Sequence, residues 1–167
     1  EITDMWPNLS KGRPCCGRFV FSPCLMLTIE RPLLNQILNH LQACYPLEGC
    51  GLLAGDGETG WVTAVYPIEN SLHSPTAYQM DPTQQVQAML DLETRGWQLL
   101  AIYHSHPHGP EIPSVTDVTL ALYPEALYVI VSLQERAVPA VRAFRITGQA
   151  VVEQTMKVVQ PSDKNCV

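Results

Sequence analysis

One strand of this chain runs straight into a cluster of histidines, and that junction limits the folds open to it. Gln98 to Ser105 reads as a strand and passes into His104-Ser105-His106-Pro107-His108, which holds three of the five histidines. Alternate strand side chains share a face, so His104 and His106 point the same way, with Cα atoms roughly 6–7 Å apart. Two imidazoles so placed can converge on one metal ion at about 2.0–2.1 Å each. A Ser-x-x-Asp step, Ser114 to Asp117, follows the proline-rich loop from Pro107 to Pro113. It has the form of a helix capping box, Ser at the N-cap and an acid three residues on. Capping alone would account for it. A residue in the first helical turn can also face a cleft, so Asp117 is a candidate third ligand. Two histidines and one carboxylate, with a fourth position left for water, form a hydrolytic zinc set. His108 breaks the alternation after Pro107 and reads as a loop residue. His40 and His73 lack ligand neighbours at metal spacing and read as surface residues.

The rest of the chain surrounds this strand with mixed elements. Pro32 suits a first helical turn, and Leu33, Leu34, Ile37, Leu38, Leu41 and Cys44 recur at helical spacing until Pro46. Gly49 to Ala54 reads as a buried strand and Trp61 to Ile68 as its hairpin partner. Glu69 to Pro82 is polar and turn-rich, with a short strand around Tyr78. Thr83 to Arg95 is helical and ends at Gly96. A helix over Ser114 to Leu122 and strands over Ala126–Leu133, Val138–Ile146 and Ala150–Val158 complete the order. This interleaved order predicts a single α+β or α/β domain. Its expected span is 26–160, after an irregular leader over 1–25 rich in Pro, Gly and Cys and before a tail over 161–167. Met26 is a plausible natural start.

The length of 167 residues allows one domain with a real core. Hydrophobic content of 46% against 16% charged fits a folded chain. A net charge of −6, with scattered Lys and Arg, argues against nucleic-acid binding and against a polybasic membrane anchor. No apolar run reaches the roughly 18 residues of a membrane span. The six cysteines form no C-x-x-C pair, so they read as free thiols in a reducing cytoplasm. Glu48, on periodicity alone, reads as an exposed loop acid before the apolar strand.

Taken together, Glu48 with Gly49-Cys50-Gly51-Leu52-Leu53-Ala54-Gly55, then His104-x-His106-Pro107, then Ser114-x-x-Asp117, resembles the motif of the JAMM (MPN+) metalloprotease family. Ten residues separate His106 from Asp117, as in that motif. The resemblance runs from about Leu27 to Met156. It implies the α+β, cytidine-deaminase-like JAMM/MPN architecture, a central, mostly antiparallel sheet flanked by helices, with His104, His106 and Asp117 as zinc ligands. It further implies Glu48 as general acid/base and Ser114 as the residue that assists the oxyanion. No cysteine nucleophile is then required.

The family's small bacterial members process ubiquitin-like sulfur-carrier proteins, and this chain is similar to them in its short Glu69–Pro82 and Pro107–Pro113 segments. The resemblance therefore implies hydrolysis of a peptide or isopeptide bond at the C-terminus of such a carrier. An extended Gly-Gly tail would add to an exposed strand edge, and Ala77 to Met80 is the candidate. A deubiquitinase-like isopeptidase and a noncatalytic MPN scaffold are the alternatives, though a scaffold usually loses its ligands. A zinc deaminase would need H-x-E with P-C-x-x-C, and neither occurs. A cysteine hydrolase using Cys50 would differ from a zinc enzyme in resisting chelators.

Overall fold

Strands buried on both faces anchor the fold of the computed structural model, which describes residues 26–161. The expected leader lies outside these residues, as does all but the first residue of the expected tail. The elements are β1 (Leu27–Glu30), α1 (Arg31–Cys44), β2 (Cys50–Asp56), β3 (Trp61–Ile68), α2 (Pro82–Thr94), β4 (Gln98–His106), α3 (Val115–Thr119), β5 (Leu127–Ser132), β6 (Ala140–Thr147), β7 (Ala150–Gln154) and β8 (Met156–Val159). The strands form one sheet in the order β7-β6-β5-β4-β2-β3-β1-β8. Four of its pairings are antiparallel and three parallel. The sheet is thus mixed, as an α+β domain allows.

β4 sits at the centre, antiparallel to β2 and parallel to β5. Ala101 and Tyr103 face one core, with Ile37 and Leu41 of α1. Ile102 faces the other, with Met80 and with Ala88 of α2. The alternation that puts His104 and His106 on one face therefore puts them on the Ile102 side, and it turns Ser105 towards the opposite side. α1 buries Leu34, Ile37 and Leu41 at helical spacing, with a proline in its first turn. Asp81 caps α2 by accepting the Gln84 N–H at 2.8 Å. Gly96, at φ +69°, takes the left-handed position beyond its end.

Four elements depart from expectation, and the first is the short strand around Tyr78, where only a single bridge between Asn70 and Met80 forms. β1 was not foreseen, because four residues beside a proline-rich stretch carry no readable period. The last strand divides at Thr155, where the chain leaves β6 and pairs with β1. β7 and β8 lie at opposite ends of the strand order yet are one residue apart, so the sheet curls until its edges approach within about 7 Å there. α3 is shorter than its pattern, since Leu120 and Leu122 are 60% and 77% exposed and nothing packs a longer helix.

Gly51 has a packing reason to be glycine. A Cβ there would stand 2.3 Å from the Tyr66 carbonyl oxygen and 2.5 Å from the Tyr103 ring. The backbone contact cannot yield without breaking the β2–β3 ladder. Gly51→Ala is expected to cost about 3 kcal/mol or to prevent folding, read as a lowered urea midpoint. Among the described residues no helix is long and apolar enough to cross a membrane.

Candidate metal centre

The end of β4 brings both imidazoles together, His106 in the wall of a cleft and His104 behind it, and the start of α3 brings a carboxylate to meet them. His104 is wholly buried and His106 nearly so. His104 Nε2 lies 3.1 Å from His106 Nε2. Asp117 Oδ1 is 3.2 Å from His104 Nε2, and Asp117 Oδ2 is 3.3 Å from His106 Nε2. Two ligands held tetrahedrally at 2.0–2.1 Å from one ion stand about 3.3 Å apart, so all three separations suit one small cation. The donor set agrees. His106 Nδ1 is 2.7 Å from the Pro110 carbonyl, which can only accept. Nδ1 therefore carries a proton, which leaves Nε2 to face the carboxylate. Nε2 and the carboxylate suit each other when a positive charge, a metal ion or a second ring proton, lies between them.

The ionisation of the cluster points the same way. Burial would raise the Asp117 carboxyl, but hydrogen bonds to His104, His106 and Ser114 outweigh it and hold the group well below the usual range. Burial lowers His104 and keeps it neutral. Burial also opposes protonation of His106, but the bonds to Asp117 and Pro110 prevail and raise it. An ionised carboxylate with neutral imidazoles is the form that binds a metal.

The capping box and the ligand geometry coexist. Ser114 Oγ accepts the Asp117 N–H at 3.1 Å, while Asp117 Oδ2 accepts the Ser114 N–H at 2.7 Å and its hydroxyl at 2.6 Å. The cap fixes the carboxylate rotamer, and the same rotamer aims it at the histidines.

Glu48 is not the exposed loop acid that periodicity suggests. It is 6% exposed and lines a cleft of about 420 Å³ together with His106 and Ser114. Burial, opposed by His106 and reinforced by Asp117, pushes its carboxyl up to about 7. Two residues that sequence reasoning gave no role fix its position. Ser105, between the two histidines, accepts the Gly49 N–H on its Oγ at 2.9 Å and donates its own N–H to the Gly49 carbonyl at 3.0 Å. Asn70 donates to the Glu48 carbonyl at 3.0 Å. The alternation of β4 could have marked Ser105, which it turns away from the histidines, whereas no local pattern marks Asn70.

The other histidines divide. His73 and His108 are exposed, as expected. His40 is half-buried, its Nδ1 3.0 Å from Tyr103 Oη and its Nε2 3.5 Å from Cys44 Sγ, because it lies on the α1 face that packs beside Tyr103. Cys44 and Cys50 are free thiols. The other four cysteines lie outside the described residues.

Residues 30–147 match the family model described as prokaryotic homologs of the JAB domain. The chain belongs to the prokaryotic JAB family. Its JAB domain is 35% identical over 135 residues to the CysO-cysteine peptidase of Mycobacterium tuberculosis, covering 81% of this chain and 92% of the relative. It is 43% identical over 129 residues to a probable TtuB-protein conjugate cleaving protease of Thermus thermophilus, covering 76% and 81% of the two. In structure it resembles a JAB1/MPN domain protein from Archaeoglobus fulgidus, with a TM-score of 0.52 at 20% identity over 80% of this chain and 97% of that one. That likeness is one of fold.

Proposed function

We propose that this JAB domain is a zinc-dependent peptidase that hydrolyses the bond following the C-terminal tail of a ubiquitin-like sulfur-carrier protein. The observation that carries the reading is the placing of a buried, weakly acidic Glu48 in a cleft that it shares with Ser114 and with His106 of the His104–His106–Asp117 cluster. The relatives named as CysO-cysteine peptidase and TtuB-conjugate protease support the substrate class. The free Cys44 and Cys50 suit a reducing cytoplasm.

His104, His106 and Asp117 hold the zinc, which when bound supplies a Lewis acid for the scissile carbonyl and makes water acidic near neutral pH. Glu48 accepts the proton of the attacking water on a carboxylate oxygen. A carboxyl lifted towards 7 is suited both to take that proton and to give it to the leaving amine. Ser114 turns its hydroxyl from Asp117 to donate to the developing oxyanion.

The surroundings fit an extended tail. An apolar groove of about 520 Å³, lined by Tyr78, Met80, Leu120 and Tyr123 among others, opens beside Asp117. Leu72, Leu120 and Leu122 stand exposed at its rim. Asn70 and Ser71 occupy one edge of Ala77–Met80 through the Ala77 carbonyl and the Gln79 amide and carbonyl. The Tyr78 amide and carbonyl are the groups with which an added strand would pair.

Purified protein is expected to carry about one zinc per chain. It should cleave a sulfur-carrier protein extended by a C-terminal residue, and a chelator should abolish that cleavage until zinc is restored. Mass spectrometry of the products with metal analysis checks this. Metal-free protein that cleaves, or cleavage of ubiquitin conjugates alone, would overturn the reading.

A further inference from the structure

The two candidate histidine ligands are held by different means. His106 is fixed through the hydrogen bond between Nδ1 and the Pro110 carbonyl. Its ring cannot rotate without losing that bond. His104 Nδ1 is buried and has no hydrogen-bond partner. Metal-bound histidines nearly always donate the second nitrogen to something that fixes the ring, and here that restraint is missing from the more deeply buried of the two.

An aromatic face lies against His104 instead. The Tyr78 ring stacks on the imidazole with centroids 4.6 Å apart and planes at 27°, within the range of an offset stack. Such a contact resists tilt and translation of the imidazole. It also responds to ligation, since an imidazole that gives electron density to a dication becomes more positive and is drawn more strongly to a π-face.

Tyr78 is in turn gripped from both sides. Asn70 Nδ2 donates to the Ala77 carbonyl at 3.0 Å, and Asn70 Oδ1 accepts the Gln79 N–H at 3.1 Å. The same side chain donates to the Glu48 carbonyl at 3.0 Å and accepts the Leu72 N–H at 3.1 Å. Its two donors and both acceptor sites are thus used. The Glu48 N–H closes the arrangement by donating to the Ser74 carbonyl at 2.9 Å. One buried amide joins the backbone of the candidate base to the residues flanking the ring that supports a candidate ligand.

We propose that Tyr78 is a positioning residue of the metal centre, its ring holding His104 in place of the absent hydrogen bond while Asn70 locks Tyr78 and Glu48 into one unit. This rests on the zinc-peptidase reading above. The support comes from the face of the ring, so the hydroxyl is dispensable.

The test is zinc affinity, by competition with a chromophoric chelator, in the full chain and in Tyr78→Phe and Tyr78→Leu, alongside NMR of the His104 ring protons. Tyr78→Phe should bind zinc within about threefold of the parent. Tyr78→Leu should lose about 10–100-fold, the usual cost of removing a ligand's support, and its His104 protons should lose the upfield shift given by a stacked ring. A folded Tyr78→Leu that binds zinc like the parent overturns the positioning role while leaving the peptidase reading intact. Should Tyr78→Leu fail to fold, the other two measurements decide. Unshifted His104 protons in the parent, or a Tyr78→Phe that loses zinc as Leu should, overturn the proposal. A parent that binds no zinc removes the peptidase reading and this inference together.

Discussion

Glu48→Gln is expected to lower kcat/KM on an extended sulfur-carrier protein by about a thousandfold, within the range for loss of a general acid/base, and to leave the zinc content unchanged. The amide keeps the shape of the side chain but cannot take a proton from water. Glu48 lies in the cleft wall outside the three converging donors, so the ligand set is untouched. The same substitution should stabilise the metal-free fold. A carboxyl raised by burial from 4.5 to about 7 binds its proton more tightly folded than unfolded. At low pH both states are protonated and the substitution changes little. Between about 4.5 and 7 the unfolded chain releases its proton first, and the parent loses stability across that window. Above it the variant should lead by about 2 kcal/mol. Urea unfolding of chelator-treated protein at several pH values measures this. A variant that retains activity would remove Glu48 from the chemistry, and one that gains no stability would show that burial does not strain the acid.

How far the site was legible depended on whether local spacing carries the information. His104 and His106 were readable because a strand's period of two is short and strict, and β4 obeys it. Ser114 and Asp117 were readable through the capping box, although the cap alone did not imply a ligand. Glu48 was not readable from its surroundings. Its burial is imposed by Ser105 and Asn70, which lie 57 and 22 positions further on, and only the combined motif drew it in. His40 was misjudged because a polar residue on α1 gives no sign of the Tyr103 hydroxyl that meets it from β4. In the fold, α1, α2 and the β2–β3 hairpin follow from apolar periodicity and from proline and glycine at their ends. β1 and the switch of partner at Thr155 depend on how the sheet curls, which no short window records.

Asp117→Asn is expected to reduce zinc affinity by a hundredfold or more and to abolish cleavage with it. The carboxylate is the one anionic member of the donor cluster, and two neutral imidazoles with an amide oxygen hold a dication poorly. The helix cap should largely survive, since an Asn oxygen can still accept from the Ser114 amide and the Ser114 hydroxyl can still accept the residue 117 N–H. The stability of the metal-free protein should fall. Asp117 is held well below the usual carboxylate range, so its contribution to folding is present above the unfolded value of 3.8 and is lost as pH drops through the folded one. Removing the charge at neutral pH removes that contribution, about 1–3 kcal/mol for charge-assisted bonds to buried partners. The two acids of the site thus predict opposite signs in the same urea experiment, with Asp117→Asn less stable than the parent and Glu48→Gln more so. Their opposite effects follow from partners: His104, His106 and Ser114 satisfy Asp117 even without metal, whereas burial leaves Glu48 readier to hold a proton than a charge. On the proposed reading, hydrolysis in this cleft needs a ligand that is ionised in advance and a base that ionises reluctantly. Equal and small stability changes in both variants would mean that the cluster does not divide its charges in this way.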